Sequence, residues 1–288
     1  MSVQAVAAPS PARSRLWVGA GCALLVILAL LAIAVMAPLI APYSPETQNL
    51  LGRLKPPGFA SRGSVYWLGS DELGRDLLSR LVWGARVSLL VATASVLLSA
   101  VVGTILGMVA GYLRGAVEVV LMRIVDVFLS IPAILFAIIL VAVLGPGLTN
   151  VVVVLALTRW PRHARVAYAQ TLAVSVQPYV RLARFMGAGT VRVLVLHVLP
   201  NILGALVVVM TLEFGQMVLF EAGLSFLGLG VQPPTPSWGA MLSTGRDYVS
   251  TAWWIATFPG LCLFVLVLAA NILGDALRDR LDPEQRRG

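Results

Sequence analysis

Residues 87–111 read VSLLVATASVLLSAVVGTILGMVAG, a run without one charged side chain. Coiled into an α-helix it would reach about 37 Å, more than the ~30 Å hydrocarbon core of a bilayer. A helix satisfies all its own backbone N–H and C=O groups, which a segment surrounded by lipid requires. Comparable apolar stretches occur upstream at about 16–37 and downstream at about 117–143, 150–168, 199–222 and 252–274. The chain therefore reads as an all-α integral membrane protein with six transmembrane helices.

Composition agrees with that class. Of 288 residues 59% are hydrophobic and 12% charged, and the mean hydropathy is +0.90; soluble domains carry roughly twice that charge. The net charge of +8 does not indicate nucleic acid, because the arginines flank apolar runs and no stripe of stacking aromatics accompanies them. Cys22 and Cys262 each sit inside an apolar run with no ligand-like spacing, so they read as small lipid- or core-facing residues rather than a disulfide or metal pair.

The run at 16–37 is longer than the 7–15 residues of a signal-peptide core and is followed by Pro38 and Pro42. It reads as an uncleaved first span behind a tail at 1–15. Segment 38–86 becomes an extracytoplasmic loop with an amphipathic part, 87–275 the membrane core with spans two to six, and 276–288 a C-terminal tail. With the N-terminus inside, 14 of the 21 basic residues fall on the inner side, and the excess of Lys and Arg in cytoplasmic loops favours N-in/C-in. Asp71, Arg75, Asp76 and Arg80 have helical spacings and read as a solvated, mutually paired face. In the third span Asp126 is costly unless paired, and Arg123 stands three residues away, so the two read as a structural intramembrane pair. Pro132 should kink that span.

From Val127 to Leu212 there is no acid, yet six arginines lie between Arg159 and Arg192. A basic loop so composed must meet anionic surroundings, either lipid headgroups or an acidic groove on a cytoplasmic protein. Within it Pro178–Met186 reads as a short helix, Gly187-Ala188-Gly189 as a break, and Thr190 as the start of a second helix. Leu182, Phe185 and Met186 share one face of the first helix, with Arg181 and Arg184 beside it. The two short helices would form a knob at about 170–200.

Arg181-Leu182-Ala183-x-x-x-Gly187, followed after nine residues by His197-Val198-Leu199-Pro200-Asn201, resembles the cytoplasmic EAA loop of ABC importer permeases. Ala183, Gly187, Leu199 and Pro200 match, whereas Arg181 and Leu182 replace the family's Glu and first Ala. The resemblance implies an ATPase-coupling loop formed by Arg181, Leu182, Ala183, Arg184, Phe185, Met186, Gly187 and Ala188.

Four further strings are similar to the C-type permease subunit of the dipeptide/oligopeptide/nickel class. They are Trp67–Arg80 with Gly84–Leu89, Arg123–Pro132, Glu221–Pro234 with Ser237-Trp238-Gly239, and Asn271–Pro283. In the third, Ser225, Phe226, Gly228, Gly230, Pro233 and Trp238 would build an outer-rim motif facing a receptor. The resemblance implies a type I importer permease fold in the bacterial cytoplasmic membrane and a homologous second permease enclosing the pathway. It further implies one or two ATP-binding subunits, an extracytoplasmic solute-binding protein and surrounding lipid.

No cofactor or metal is expected on this chain. It has no glycine-rich Lys-Ser/Thr loop and a single lysine, so ATP and Mg would belong to partner subunits. Two rivals predict other features. An ion-coupled secondary transporter should carry paired acids at mid-depth, where only Asp126, Glu213 and Glu221 are candidates. An intramembrane enzyme needs a catalytic constellation, and His163 and His197, the only histidines, lie without nearby acids.

Overall fold

The computed structural model describes residues 11–61 and 64–281. Most of the N-terminal tail, Arg62 of the outer loop, and the end of the C-terminal tail with Asp282, Pro283, Arg286 and Arg287 lie outside the described residues. Helices occupy all six expected positions: α1 (Pro11–Val35), α3 (Leu77–Leu113), the pair α4 (Gly115–Ser130) and α5 (Ala133–Leu144), α6 (Leu148–Ser175), α9 (Leu199–Phe226) and α11 (Trp254–Leu281). Among the described residues α3, α11 and the continuous run Thr190–Phe226 are long and apolar enough to cross a membrane, and α4 with α5 makes a fourth if taken as one bent span. The described apolar part of α1 is shorter, Gly19–Val35, and α6 carries three arginines in its middle. Smaller elements among the described residues include α2 (Ala37–Ile40), a hairpin of β1 (Phe59–Ser61) and β2 (Ser64–Tyr66), α7 (Pro178–Phe185), α8 (Thr190–Val193) and α10 (Trp238–Arg246).

Two boundaries differ from the sequence reading for local reasons. The second span starts at Leu77 instead of Val87, because Asp76 caps it by accepting hydrogen bonds from the Ser79 backbone N (2.8 Å) and Oγ (2.7 Å). The third span is broken rather than kinked: α4 and α5 meet at 93°. Ile131, the residue before Pro132, takes an extended conformation (φ −86°, ψ 129°), which the proline ring favours by crowding the helical region.

The long helices pack by backbone approach. Gly103, Gly107 and Gly111 line one face of α3, and a Cβ on them would stand 2.4, 2.3 and 2.9 Å from the carbonyl oxygens of Trp160, Ala164 and Tyr168 on α6. Numbers rise together along both helices, so α3 and α6 run parallel in close contact, the arrangement that small residues at every fourth position permit. α11 runs antiparallel to α9, since Gly215 meets Asn271 while Gly274 meets Leu212. One apolar core joins α3, α9, α10 and α11 around Trp238, Leu77, Met217 and Leu266. A second gathers Met108, Val180, Val193, Val198 and Ile202, and a third sets Met122 and Val125 of α4 against Trp160.

The outer segment corrects another expectation. Asp71, Arg75, Asp76 and Arg80 are buried, not a solvated face, and 71–76 form turns rather than helix. Gly69 and Gly74 adopt φ of +88° and +72°, conformations that favour glycine and end helical continuity. Asp71 then accepts from the backbone N of Leu73 and Arg75 and pairs with Arg75 Nε (2.6 Å) and Arg80 Nε (3.3 Å). Glu72 pairs with Arg75. Burial, then the neighbouring Asp71 charge, raise the Glu72 carboxyl above its usual range, and burial raises Asp76 likewise.

Candidate functional site

Three groups of side chains stand out, and the most exposed is the knob of α7 and α8. Pro178 occupies the first turn of α7, where its missing N–H costs nothing. The helix stops at Gly187, with φ +90°. There the N–H of Gly187 donates to the Arg184 carbonyl (2.9 Å) and that of Ala188 to the Ala183 carbonyl (3.0 Å), the paired bonds of a Schellman stop. Val180 points inward and is wholly buried against Met108, Val193 and Ile202. The opposite face carries Leu182, Phe185 and Met186, the last two 91% and 79% exposed, with Val191 of α8 alongside. Arg181 is exposed and makes no ion pair among the described residues, whereas Arg184 lies 5.1 Å from the Tyr112 ring centroid. All eight residues from Arg181 to Ala188 thus share one projection whose apolar tip is uncovered, the kind of patch that marks an interaction surface.

The second group lies between α6 and α9. Glu213, near the midpoint of α9, binds Arg159 Nη1 (3.4 Å) and Arg162 Nη1 (2.8 Å), both from α6. Arg159 is buried and its guanidinium covers the Phe220 ring at 4.0 Å. Nearer the α6 C-terminus, Arg165 pairs with Asp126 of α4, and the Tyr168 hydroxyl donates to Glu118 of the same helix. Two expectations change here. Asp126 pairs with Arg165 across on α6, and no Arg123–Asp126 ion pair forms among the described residues. Residues 159–175 are the second half of α6 rather than loop, and Arg159, Arg162 and Arg165 meet acids of this chain.

The third group surrounds Glu221, wholly buried on α9. Its carboxylate accepts from Ser88 Oγ of α3 (3.0 Å) and Ser225 Oγ (2.8 Å). Trp238 Nε1 donates to the Leu81 carbonyl (3.0 Å). A Cβ on Gly230 would collide with Ser225. Of the nominated outer-rim residues, Gly228 and Pro233 are exposed and Phe226 is half-buried, while Ser225, Gly230 and Trp238 are interior. The motif is thus largely a staple joining α3, α9 and α10. The sequence offers Glu213 only as an acid of a rival transporter and does not pair it with α6; the signal was an acid in one apolar run and arginines spaced three apart in another.

Long apolar helices joined by internal ion pairs, with a knob of short helices between α6 and α9, define a multi-helix membrane protein. The chain matches the model of the binding-protein-dependent transport system inner membrane component over residues 103–287, and that of the N-terminal transmembrane domain of oligopeptide transport permease C over residues 19–57. It belongs to the binding-protein-dependent transport family of ABC importer permeases, multi-pass proteins of the inner membrane, and is a transport component rather than a catalytic enzyme.

The di/tripeptide transport system permease protein DppC of Pseudomonas aeruginosa is 45% identical over 267 residues, covering 92% of this chain and 88% of its own. The dipeptide transport system permease protein DppC of Escherichia coli is 44% identical over 270 residues, covering 93% and 90%. Among solved structures, an inward-facing MetNI methionine ABC transporter chain has the same fold at TM-score 0.57 and 20% identity, over 72% of this chain and 98% of that one.

Proposed function

We propose that this chain is the C-type permease of an ATP-driven importer for di- or tripeptides or closely related small solutes. It crosses the membrane six times with both ends inside and pairs with a homologous permease around the translocation pathway. One or two ATP-binding subunits, which hold the ATP and Mg, dock on the α7–α8 knob, and an extracytoplasmic binding protein delivers the solute. The observation that carries this reading is the knob. It is fixed from within by Val180 and capped at Gly187, and it offers Phe185 and Met186 almost fully exposed. An apolar tip of this kind gains by entering a pocket on a partner. The peptide class is supported by the names and close identity of the relatives.

Arg181 stands where the family has an acid, so the docking groove should present a carboxylate to it. Co-purification from membranes tests the docking. Phe185→Asp should lose the ATP-binding subunits while the chain still inserts, and Arg181→Glu should weaken their retention in a salt-sensitive way. Full retention in both variants would refute the docking assignment.

A further inference from the structure

The Arg159–Glu213–Arg162 cluster carries two positive charges against one negative, close to the midpoints of α6 and α9. The two arginines differ in environment. Arg159 is 3% exposed, held by the Phe220 ring and by one Glu213 oxygen. The Arg162 side chain is 55% exposed, with only Nη1 engaged by Glu213. A charged side chain at mid-membrane depth faces a bundle interior or a watery cavity rather than lipid. Among the described residues no acid other than Glu213 pairs with the open side of Arg162.

We infer that Arg162 is a recognition residue of the translocation pathway, binding the carboxylate of the passing solute through the guanidinium edge that Glu213 leaves free. The inference rests on the peptide-importer reading, since every unmodified peptide ends in a carboxylate. Guanidinium and carboxylate are both planar and can share two parallel hydrogen bonds, which would replace water as the anion crosses an apolar passage. Glu213 already neutralises half of the pair of arginines. The hold on a carboxylate is thus partial, strong enough to admit it and weak enough to release it, as conduction through a narrow path requires. Arg159 holds Glu213 from the same helix as Arg162, so removing Arg162 leaves a one-to-one pair and should not unfold the helix interface.

The test uses the transporter assembled with its partner subunits in proteoliposomes and radiolabelled L-alanyl-L-alanine, whose side chains carry no charge. Arg162→Gln should keep the wild-type melting temperature and co-purify with the second permease, yet lower ATP-dependent dialanine uptake about ten-fold or more, as loss of a charge-assisted contact implies. Arg162→Lys should recover much of the uptake. Uptake by Arg162→Gln equal to an active wild type would overturn the assignment. Loss of the second permease on co-purification would overturn it too, giving Arg162 to an acid of that subunit. A wild-type complex that carries no dialanine would overturn the peptide reading and this inference with it.

Discussion

Gly107→Ala tests the contact that aligns the two parallel helices. The new Cβ would stand 2.3 Å from the Ala164 carbonyl oxygen, 2.7 Å from Ala167 Cβ and 2.9 Å from the Tyr168 backbone N, where ordinary contact begins at 3.4 Å. Two of these three atoms are backbone, so no rotamer change relieves the clash, and α3 and α6 must part by about 1 Å in an interior packed like a crystal. Overpacking of this kind costs about 1–3 kcal/mol, and the separation also weakens dispersion along the stripe. The better helix propensity of alanine offsets at most about 1 kcal/mol. Gly223→Ala on α9 is the control, because nothing lies within 4 Å of its added Cβ, leaving only the propensity gain. Melting of purified protein in detergent should fall for Gly107→Ala by several degrees, at roughly 2–4 °C per kcal/mol, and should not fall for Gly223→Ala. The double variant Gly103→Ala/Gly107→Ala should cost less than the sum, since one parting of the helices serves both. Gly107→Ala melting with its control would refute the close approach.

Other outcomes follow from the buried polar groups. Trp238→Phe keeps most of the ring but loses the bond to the Leu81 carbonyl, which should cost about 1 kcal/mol in the same melting assay, against about 3–5 kcal/mol for Trp238→Ala. Glu213→Gln leaves Arg159 buried without its counter-ion and should cost about 3–5 kcal/mol. Because burial raises the Glu72 carboxyl above 4.5, its contribution to stability is complete below that pH and is lost as pH rises through the raised value. Wild type should therefore lose ground to Glu72→Gln as pH increases from 4.5; a constant difference between the two would contradict it.

The class of protein was legible because a 25-residue uncharged run has few physical alternatives, and the knob because turn chemistry at Pro178 and Gly187 is local. Pairing was less legible. The arginines at 159, 162 and 165 suggested an external anion because the stretch around them has no acid, but Asp126 and Glu213 stand immediately outside that stretch, and folding brings both across to α6. Helical spacing at 71–80 was misleading for a similar reason. Gly69 and Gly74 set positive φ values, and the turn between them folds the charges inward, where Trp254 Nε1 donates to the Ser70 carbonyl (3.1 Å) from a position far along the chain. The break at Pro132 was visible, but its 93° angle depends on what α5 packs against. The glycines at 103, 107 and 111 carried a readable spacing, and their partner helix became evident only in three dimensions.

Reconstitution in proteoliposomes with the second permease, the ATP-binding subunits and the binding protein tests the central claim most directly, with internal ATP and an imposed proton gradient supplied separately. The account predicts dialanine accumulation that needs ATP and the binding protein and that Phe185→Asp abolishes. Accumulation driven by the proton gradient without ATP, unchanged in Phe185→Asp, would contradict it and favour an ion-coupled carrier.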